Sequence, residues 1–133
     1  MKTIPHISKF MTTATHTVGA DIPIKKAVEI MREHRIRHLP VMHWGKLMGV
    51  LTDRDIKLAS SFQGAAELKV DDVMSPDAYA VSPQGGLNEV AAEMAEHKYG
   101  CAVVIDNGKV VGIFTATDGM RVLAEIVRDN YKS

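Results

Sequence analysis

The sequence predicts an α/β (α+β) fold made of two consecutive strand–helix–strand–strand–helix repeats. One observation is that Gly49–Asp55 (GVLTDRD) recurs 63 positions later as Gly112–Asp118 (GIFTATD). Another is that the flanking residues also correspond at this 63-residue offset, starting with the pair Val18 and Val81, and that no insertion is needed to align them. In both halves, segments with apolar residues at helical spacing and short apolar runs also follow one another in the same order. Because a repeat of this length has one structural unit per copy, it organises the whole chain.

Hydrophobic spacing and turn residues predict the elements of the first half. Apolar residues recur at helical spacing from Ile24 to Met31, and Asp21 is a candidate N-cap for this helix. Two apolar runs follow, and Gly45 between them suits a hairpin turn. The predicted elements are a turn over Ile7–Met11, an extended segment over Thr15–Val18, a helix ending near His34, strands over His38–Met42 and Leu47–Leu51, and a helix over Asp53–Ser60.

The second half follows the same order of elements. Val70–Met74 corresponds to Ile7–Met11, and the last helix continues from Asp118 through Val127. Two domains are therefore predicted, over residues 7–62 and 70–127, with a glycine-containing linker between them. The two repeats together form one module.

Composition narrows the class of protein. Sixteen basic and sixteen acidic residues give no net charge, so we expect no nucleic-acid or membrane partner. The single cysteine, Cys101, has apolar neighbours and is expected to be a small buried side chain in a reducing compartment. The N-terminus lacks the pattern of a signal peptide, and no segment is long and apolar enough to span a bilayer. A cytoplasmic location is the expectation.

No metal, cofactor or catalytic motif is recognisable in the sequence. Six histidines are present, and His34 and His38 are four residues apart, but the pattern changes from helix to strand between them. His34 and His97 are expected to end their helices. Neither a nucleophile elbow nor a glycine-rich phosphate loop is found. We expect a protein that is not an enzyme, binds no metal and requires no cofactor.

The repeated Thr-x-x-Asp has two interpretations. Thr52 with Asp55, and Thr115 with Asp118, can form capping boxes at the start of a helix. The same helix starts carry a partial positive charge that suits a phosphate, and an outward carboxylate can accept both hydroxyls of a ribose. The residues alone leave both interpretations open.

Each half resembles a CBS domain, and the pair resembles a Bateman module, from about Ile7 to about Ile126. The residues that carry the resemblance are His38–Val41, Gly49–Asp55 and Gly112–Asp118. The family implies a tandem CBS-domain pair with pseudo-twofold symmetry and two clefts that bind adenosine-type ligands. The aspartate holds the ribose hydroxyls, and the strand segment of the other repeat flanks the base. The second half departs from the pattern at Val103, which replaces the strand proline.

The resemblance implies two sets of ligand-binding residues, each drawn from both repeats. One set consists of Thr115, Thr117, Asp118, His16, Val18, Ile36, Arg37, His38 and Pro40. The other consists of Thr52, Arg54, Asp55, Tyr79, Val81, Tyr99, Gly100, Cys101 and Ala102. Arg37 and His38 favour the first set slightly for a phosphorylated ligand, although Arg54 partly offsets this in the second.

The expected function is a stand-alone, non-catalytic regulatory module. It would sense AMP, ADP, ATP or S-adenosylmethionine and signal to an unknown effector protein in trans. A homodimer through Leu123, Ile126 and Val127 is expected. The alternatives are an interaction or scaffold module with vestigial clefts, in which the Thr-x-x-Asp residues only cap helices, or an accessory subunit of an enzyme.

Overall fold

The computed structural model describes residues 2–13 and 16–132. Five α-helices, two short 3₁₀ helices (Ile7–Lys9 and Ala65–Glu67) and eight strands lie within these residues. The helices are α1 (Ile24–His34), α2 (Asp53–Ala59), α3 (Val70–Val73), α4 (Leu87–His97) and α5 (Ala116–Asn130). The strands are β1 (Thr12–Thr13), β2 (Val18–Gly19), β3 (His38–His43), β4 (Lys46–Thr52), β5 (Ser75–Pro76), β6 (Ala80–Val81), β7 (Cys101–Asp106) and β8 (Lys109–Thr115). This confirms the α/β fold class and the order of elements.

The chain divides into two compact units whose limits differ from those of the sequence repeats. The central unit comprises residues 16–78, and the flanking unit comprises residues 1–15 and 79–133. The central unit contains a sheet in the order β2-β3-β4-β5, and the flanking unit contains one in the order β1-β8-β7-β6. The predicted repeats, 7–62 and 70–127, therefore each contribute a segment to the unit of the other.

The exchanged segments complete both sheets and both first helices. β1 pairs antiparallel with β8, and β5 pairs antiparallel with β4. The Pro5 carbonyl accepts the N–H of Leu87 at 3.0 Å, and the Leu68 carbonyl accepts the N–H of Ile24 at 2.9 Å. The N-cap prediction for Asp21 is therefore wrong, because α1 begins after Pro23 without a side-chain cap and a backbone carbonyl satisfies its first N–H.

The two hairpins form as predicted. β3 pairs with β4 through a turn at Trp44 and Gly45, both with positive φ, and β7 pairs with β8 in the same way through Asn107 and Gly108. Of the predicted extended segment over Thr15–Val18, only Val18 lies in a strand, β2, whereas His16 and Thr17 precede it and Thr15 lies outside the described residues. Each hairpin thus ends at the threonine that starts the next helix.

Each unit has its own hydrophobic core. In the central unit, α1 packs Ile24, Ala27 and Met31 against the sheet residues Leu39 and Leu51. In the flanking unit the core residues are Ile7, Val90, Met94, Ala102, Val104, Phe114 and Val122. Ile7 and Val70, which correspond in sequence, are both fully buried and anchor the exchanged segments. None of the helices in the described ranges is long and apolar enough to cross a membrane.

Candidate functional site

A capping box closes the start of the helix that follows each hairpin. The Thr52 hydroxyl accepts the Asp55 N–H at 3.1 Å, and the Asp55 carboxylate accepts the Thr52 N–H at 3.0 Å. Thr115 and Asp118 repeat this arrangement at 3.1 Å and 2.9 Å. One carboxylate oxygen of each aspartate is thereby committed to the cap, and the second oxygen is left for other donors.

A hydroxyl from the exchanged segment reaches each of these carboxylates. Ser75 Oγ lies 3.2 Å from both carboxylate oxygens of Asp55, and Thr12 Oγ1 lies 3.4 Å from both oxygens of Asp118. The sequence analysis did not single out these two residues. Their signal was present, because Ser75 follows Thr12 at the same 63-residue offset as the rest of the repeat.

The two carboxylates differ in their charged neighbours. Arg121 Nη1 donates to Asp118 Oδ1 at 3.0 Å, and Asp118 is only 6% exposed. Asp55 is half-buried, and no ion pair involves it within the described residues. Position 58, which corresponds to Arg121, is an exposed leucine. The sequence analysis also did not predict Arg121.

Two predicted residues of the central unit, Arg37 and His38, adjoin the Thr52–Asp55 box. His38 is directly opposite Thr52 in the β3–β4 ladder, and the Arg37 carbonyl accepts the Asp53 N–H at 3.1 Å. His16 stacks on His34 with ring centroids 3.7 Å apart. The remaining predicted residues of this unit fall into two groups: exposed Arg54 at the start of α2, and the buried or half-buried Val18, Ile36 and Pro40.

In the flanking unit, strand residues adjoin the Thr115–Asp118 box in the same way. Cys101 is opposite Thr115 in the β7–β8 ladder, and the Gly100 carbonyl accepts the Ala116 N–H at 2.9 Å. Thr117 is exposed in the first turn of α5. Val81 lies in β6, and Ala102 is fully buried in the core, so a contribution of Ala102 to binding would come from its backbone.

Aromatic side chains form a stack at the edge of the flanking unit. The rings of Tyr79 and Tyr99 are stacked with centroids 5.1 Å apart, and the His97 ring stacks on Tyr99 at 5.2 Å. His97 also bonds the Glu93 carboxylate at 2.7 Å. Burial, with a smaller effect of Glu93, raises the pKa of Tyr79 above its ordinary value, so this hydroxyl keeps its proton to a higher pH than an exposed tyrosine does.

The Cys101 thiol on β7 is in an environment that makes it unreactive. Its side chain is buried, and this burial raises the pKa of the thiol to about 11. Because the thiolate is the reactive form, a thiol in this environment is a packing group rather than a nucleophile.

The units bring together one part of each predicted ligand set. Each holds a Thr-x-x-Asp box and the strand residues of its own half, whereas the predicted sets combine the box of one repeat with the strand of the other. The assignment of the ligand-binding residues to two sets stays a prediction. Over residues 2–13 and 16–132, no group of three or more His, Cys, Asp or Glu side chains is arranged to hold a metal ion.

Comparisons with known proteins agree on one family. The sequence profile of the CBS domain matches the chain twice, over residues 7–61 and 70–125. CBS domain-containing protein YhcV of Bacillus subtilis is 34% identical over 109 residues, which are 81% of this chain and 78% of that protein. Inosine-5′-monophosphate dehydrogenase of Korarchaeum cryptofilum is 32% identical over 118 residues, which are 88% of this chain but only 24% of the enzyme.

Solved structures of similar fold include ligand complexes. The CBS domain pair of protein MJ0100, in complex with methylthioadenosine and S-adenosyl-L-methionine, superposes with a TM-score of 0.82 and 26% identity, covering 93% of this chain and 99% of that one. CBSX2, a CBS-pair protein of Arabidopsis thaliana, was solved in complex with AMP and gives a TM-score of 0.78 at 25% identity, covering 91% and 97%.

Proposed function

Because this chain belongs to the CBS-domain family, we propose that it is a non-catalytic regulatory module that binds adenosine-type ligands such as AMP, ADP, ATP or S-adenosylmethionine. Two proteins of the same fold were solved with AMP or with S-adenosyl-L-methionine and methylthioadenosine, which supports this ligand class. Such ligands are metabolites of the cytoplasm, where we place the module. Their shared part is adenosine, an adenine base joined to a ribose, and the residues that recognise the ribose carry the proposal.

The observation that carries the proposal is the pair of carboxylates at the helix starts. Each of Asp55 and Asp118 commits one oxygen to its capping box, and an ionised carboxylate has about four acceptor positions. A ribose diol offers two O–H donors that match the remaining positions. Hydrogen bonds to a charged acceptor contribute about 1.5–3 kcal/mol each, enough to orient a ligand.

The other residues of the two predicted ligand sets supply groups for the rest of the nucleotide. Tyr79 and Tyr99 form a stacked aromatic edge that suits a purine base. Arg37, in the predicted set of Asp118, and Arg54, in the predicted set of Asp55, are both exposed cations that suit a phosphate. These roles follow the predicted ligand sets.

Regulation follows from differential affinity. A ligand that binds one arrangement of the module more tightly shifts its population toward that arrangement, and a partner protein in trans binds the two arrangements with different affinity.

We further propose that the module is a homodimer through the exposed apolar side chains of α5. These residues are Met120, Leu123, Ile126 and Val127.

The competing function is an interaction or scaffold module, or an accessory subunit of an enzyme. The observation that favours it is the complete capping box at both helix starts, which gives the Thr-x-x-Asp residues a structural role without any ligand. Stability measurements alone do not separate the two functions, since both predict a cost of about 1 kcal/mol when a cap is removed.

Alanine variants of the two aspartates, with a matched control, separate these functions. Asp72 caps α3 by accepting the Lys69 N–H at 2.9 Å, but lies outside the Thr-x-x-Asp motif. Asp55→Ala, Asp118→Ala and Asp72→Ala should each lower stability by about 1 kcal/mol. Only the first two should weaken binding of AMP or S-adenosylmethionine, by about tenfold or more in calorimetric titration. Wild-type protein that binds none of these ligands would refute the proposed function.

A further inference from the structure

The carboxylate of Asp118 is more fully engaged than that of Asp55. It accepts the Thr115 N–H on Oδ2 at 2.9 Å and the Arg121 guanidinium on Oδ1 at 3.0 Å, and the Thr12 hydroxyl lies 3.4 Å from both oxygens. Both of its oxygens therefore already have an N–H donor. A ribose diol that approaches Asp118 must displace Arg121 or share Oδ1 with it.

Asp55 carries the same capping and hydroxyl contacts without the cation. Thr52 N–H donates to Oδ2 at 3.0 Å, and Ser75 Oγ lies 3.2 Å from both oxygens. The residue three positions further along α2 is Leu58, where α5 has Arg121. Oδ1 of Asp55 is thus open to a diol, apart from one hydroxyl that can rotate between the two oxygens.

The ion pair of Arg121 has a geometry suited to a removable competitor. The Arg121 side chain is 63% exposed, whereas the Asp118 side chain is 8% exposed. The guanidinium can therefore swing into solvent without leaving a cavity, while the carboxylate stays in place through its cap. Because water solvates the guanidinium end of this pair, the pair is weak although its carboxylate is buried, and it lowers ligand affinity only moderately.

We propose that Arg121 is a positioning residue that competes with the ribose diol for Asp118, so that the two aspartates bind an adenosine-type ligand with unequal affinity. This inference rests on the proposed function, in which both aspartates accept ribose hydroxyls. For a ligand without a phosphate, Asp55 is the stronger acceptor, and Asp118 binds after Arg121 has moved aside. Because position 58 is leucine and position 121 is arginine, the two aspartates of one module bind ligand in two different concentration ranges.

Reciprocal substitutions in single-site backgrounds test the competition with adenosine as the probe. In an Asp55→Ala background, Arg121→Leu should tighten adenosine binding about threefold to fivefold, since the cost of breaking the half-exposed Arg121–Asp118 ion pair is removed. In an Asp118→Ala background, Leu58→Arg should weaken it by a similar factor. Arg128→Leu is the control, because it removes a similarly exposed arginine from the same helix, paired with Asp129 at 3.6 Å.

A ligand without the diol distinguishes competition from a general structural effect. With 2′,3′-dideoxyadenosine, Arg121→Leu and Leu58→Arg should leave the affinity unchanged, because no hydroxyl then meets the carboxylate. Arg121→Met provides a second variant with a long helix-forming side chain in case the leucine variant unfolds.

The outcomes separate this inference from the function on which it rests. Adenosine binding that is unchanged by Arg121→Leu, or equally changed by Arg128→Leu, would overturn the competition and leave the proposed function intact. An equal gain with dideoxyadenosine would also overturn it. If no variant and no wild-type protein binds adenosine, AMP or S-adenosylmethionine, both are overturned together.

Discussion

Replacing Gly49 with alanine tests the contact between β4 and the exchanged strand β5. A Cβ at Gly49 would overlap the Ser75 carbonyl oxygen, and it would lie 3.0 Å from Met74 Sδ. Gly49 pairs with Pro76 and Val50 with Ser75, so the obstructing oxygen is a backbone atom held in the sheet. Relief of the overlap requires β5 to move away from β4.

Gly112 is the matched control for this substitution. Its Cβ would overlap the Met11 side chain, 2.9 Å from Cγ and 3.1 Å from Cε, with no backbone atom among the three nearest neighbours. Methionine is flexible and can adopt another rotamer, so the clash in Gly112→Ala is easier to relieve. Both glycines lie at equivalent positions of the repeat and neither has a positive φ.

The expected magnitudes follow from these neighbours. Overpacking against a fixed atom costs about 1–3 kcal/mol, and the reduced freedom of the unfolded chain returns about 0.4–1 kcal/mol in both variants. We expect Gly49→Ala to lose about 1–2 kcal/mol of unfolding free energy. For Gly112→Ala we expect a loss at least about 1 kcal/mol smaller.

Urea unfolding followed by circular dichroism measures both variants, with the m-value checked for a change in the surface exposed. Since Ser75 also donates to Asp55, Gly49→Ala should in addition weaken ligand binding in the Asp118→Ala background. A Gly49→Ala protein as stable as Gly112→Ala, or more stable, would refute the placement of β5 over Gly49.

Two further predictions concern Cys101 and α5. Burial raises the pKa of the Cys101 thiol to about 11 from an ordinary 9.0, so its rate of reaction with iodoacetamide should keep rising past pH 9. Because the thiol of the unfolded chain loses its proton at a lower pH, the free energy of unfolding should fall as the pH rises above about 9. An inflection of the alkylation rate near the ordinary value would contradict this burial. Leu123→Glu should convert the proposed dimer to a monomer in analytical ultracentrifugation, whereas Ser60→Glu at the equivalent position of the first repeat should not. A wild-type protein that sediments as a monomer at high concentration would rule out the dimer.

The features that the sequence determined are those that depend on neighbours along the chain. Helical spacing located α1 and α4, and the turn glycines located both hairpins, because these patterns act over a few residues. The capping boxes were visible for the same reason, since Thr52 and Asp55 are three residues apart. The offset between the halves then identified the repeat and, through its resemblance, the family.

Only the tertiary structure decided which segment completes which unit. The sequence pairs Ile7–Met11 with the first repeat, but these residues lie in the flanking unit, and Val70–Val73 lies in the central one. Periodicity shows that a segment has an apolar face and does not show which of two similar cores will bury it. The N-cap prediction for Asp21 failed for this reason, because the Leu68 carbonyl arrives from a distant part of the chain.

The differences between the surroundings of Asp55 and Asp118 were likewise settled in three dimensions. The charges of Arg37, His38 and Arg54 are apparent in the sequence, whereas the significance of Arg121 depends on its side chain turning back to Asp118. Thr12 reaches Asp118 from 106 positions away in the chain, a contact that no local pattern contains. The sequence therefore determined the repeated elements and their carboxylates, whereas long-range packing decided which donors those carboxylates meet, since that depends on how distant segments are buried together.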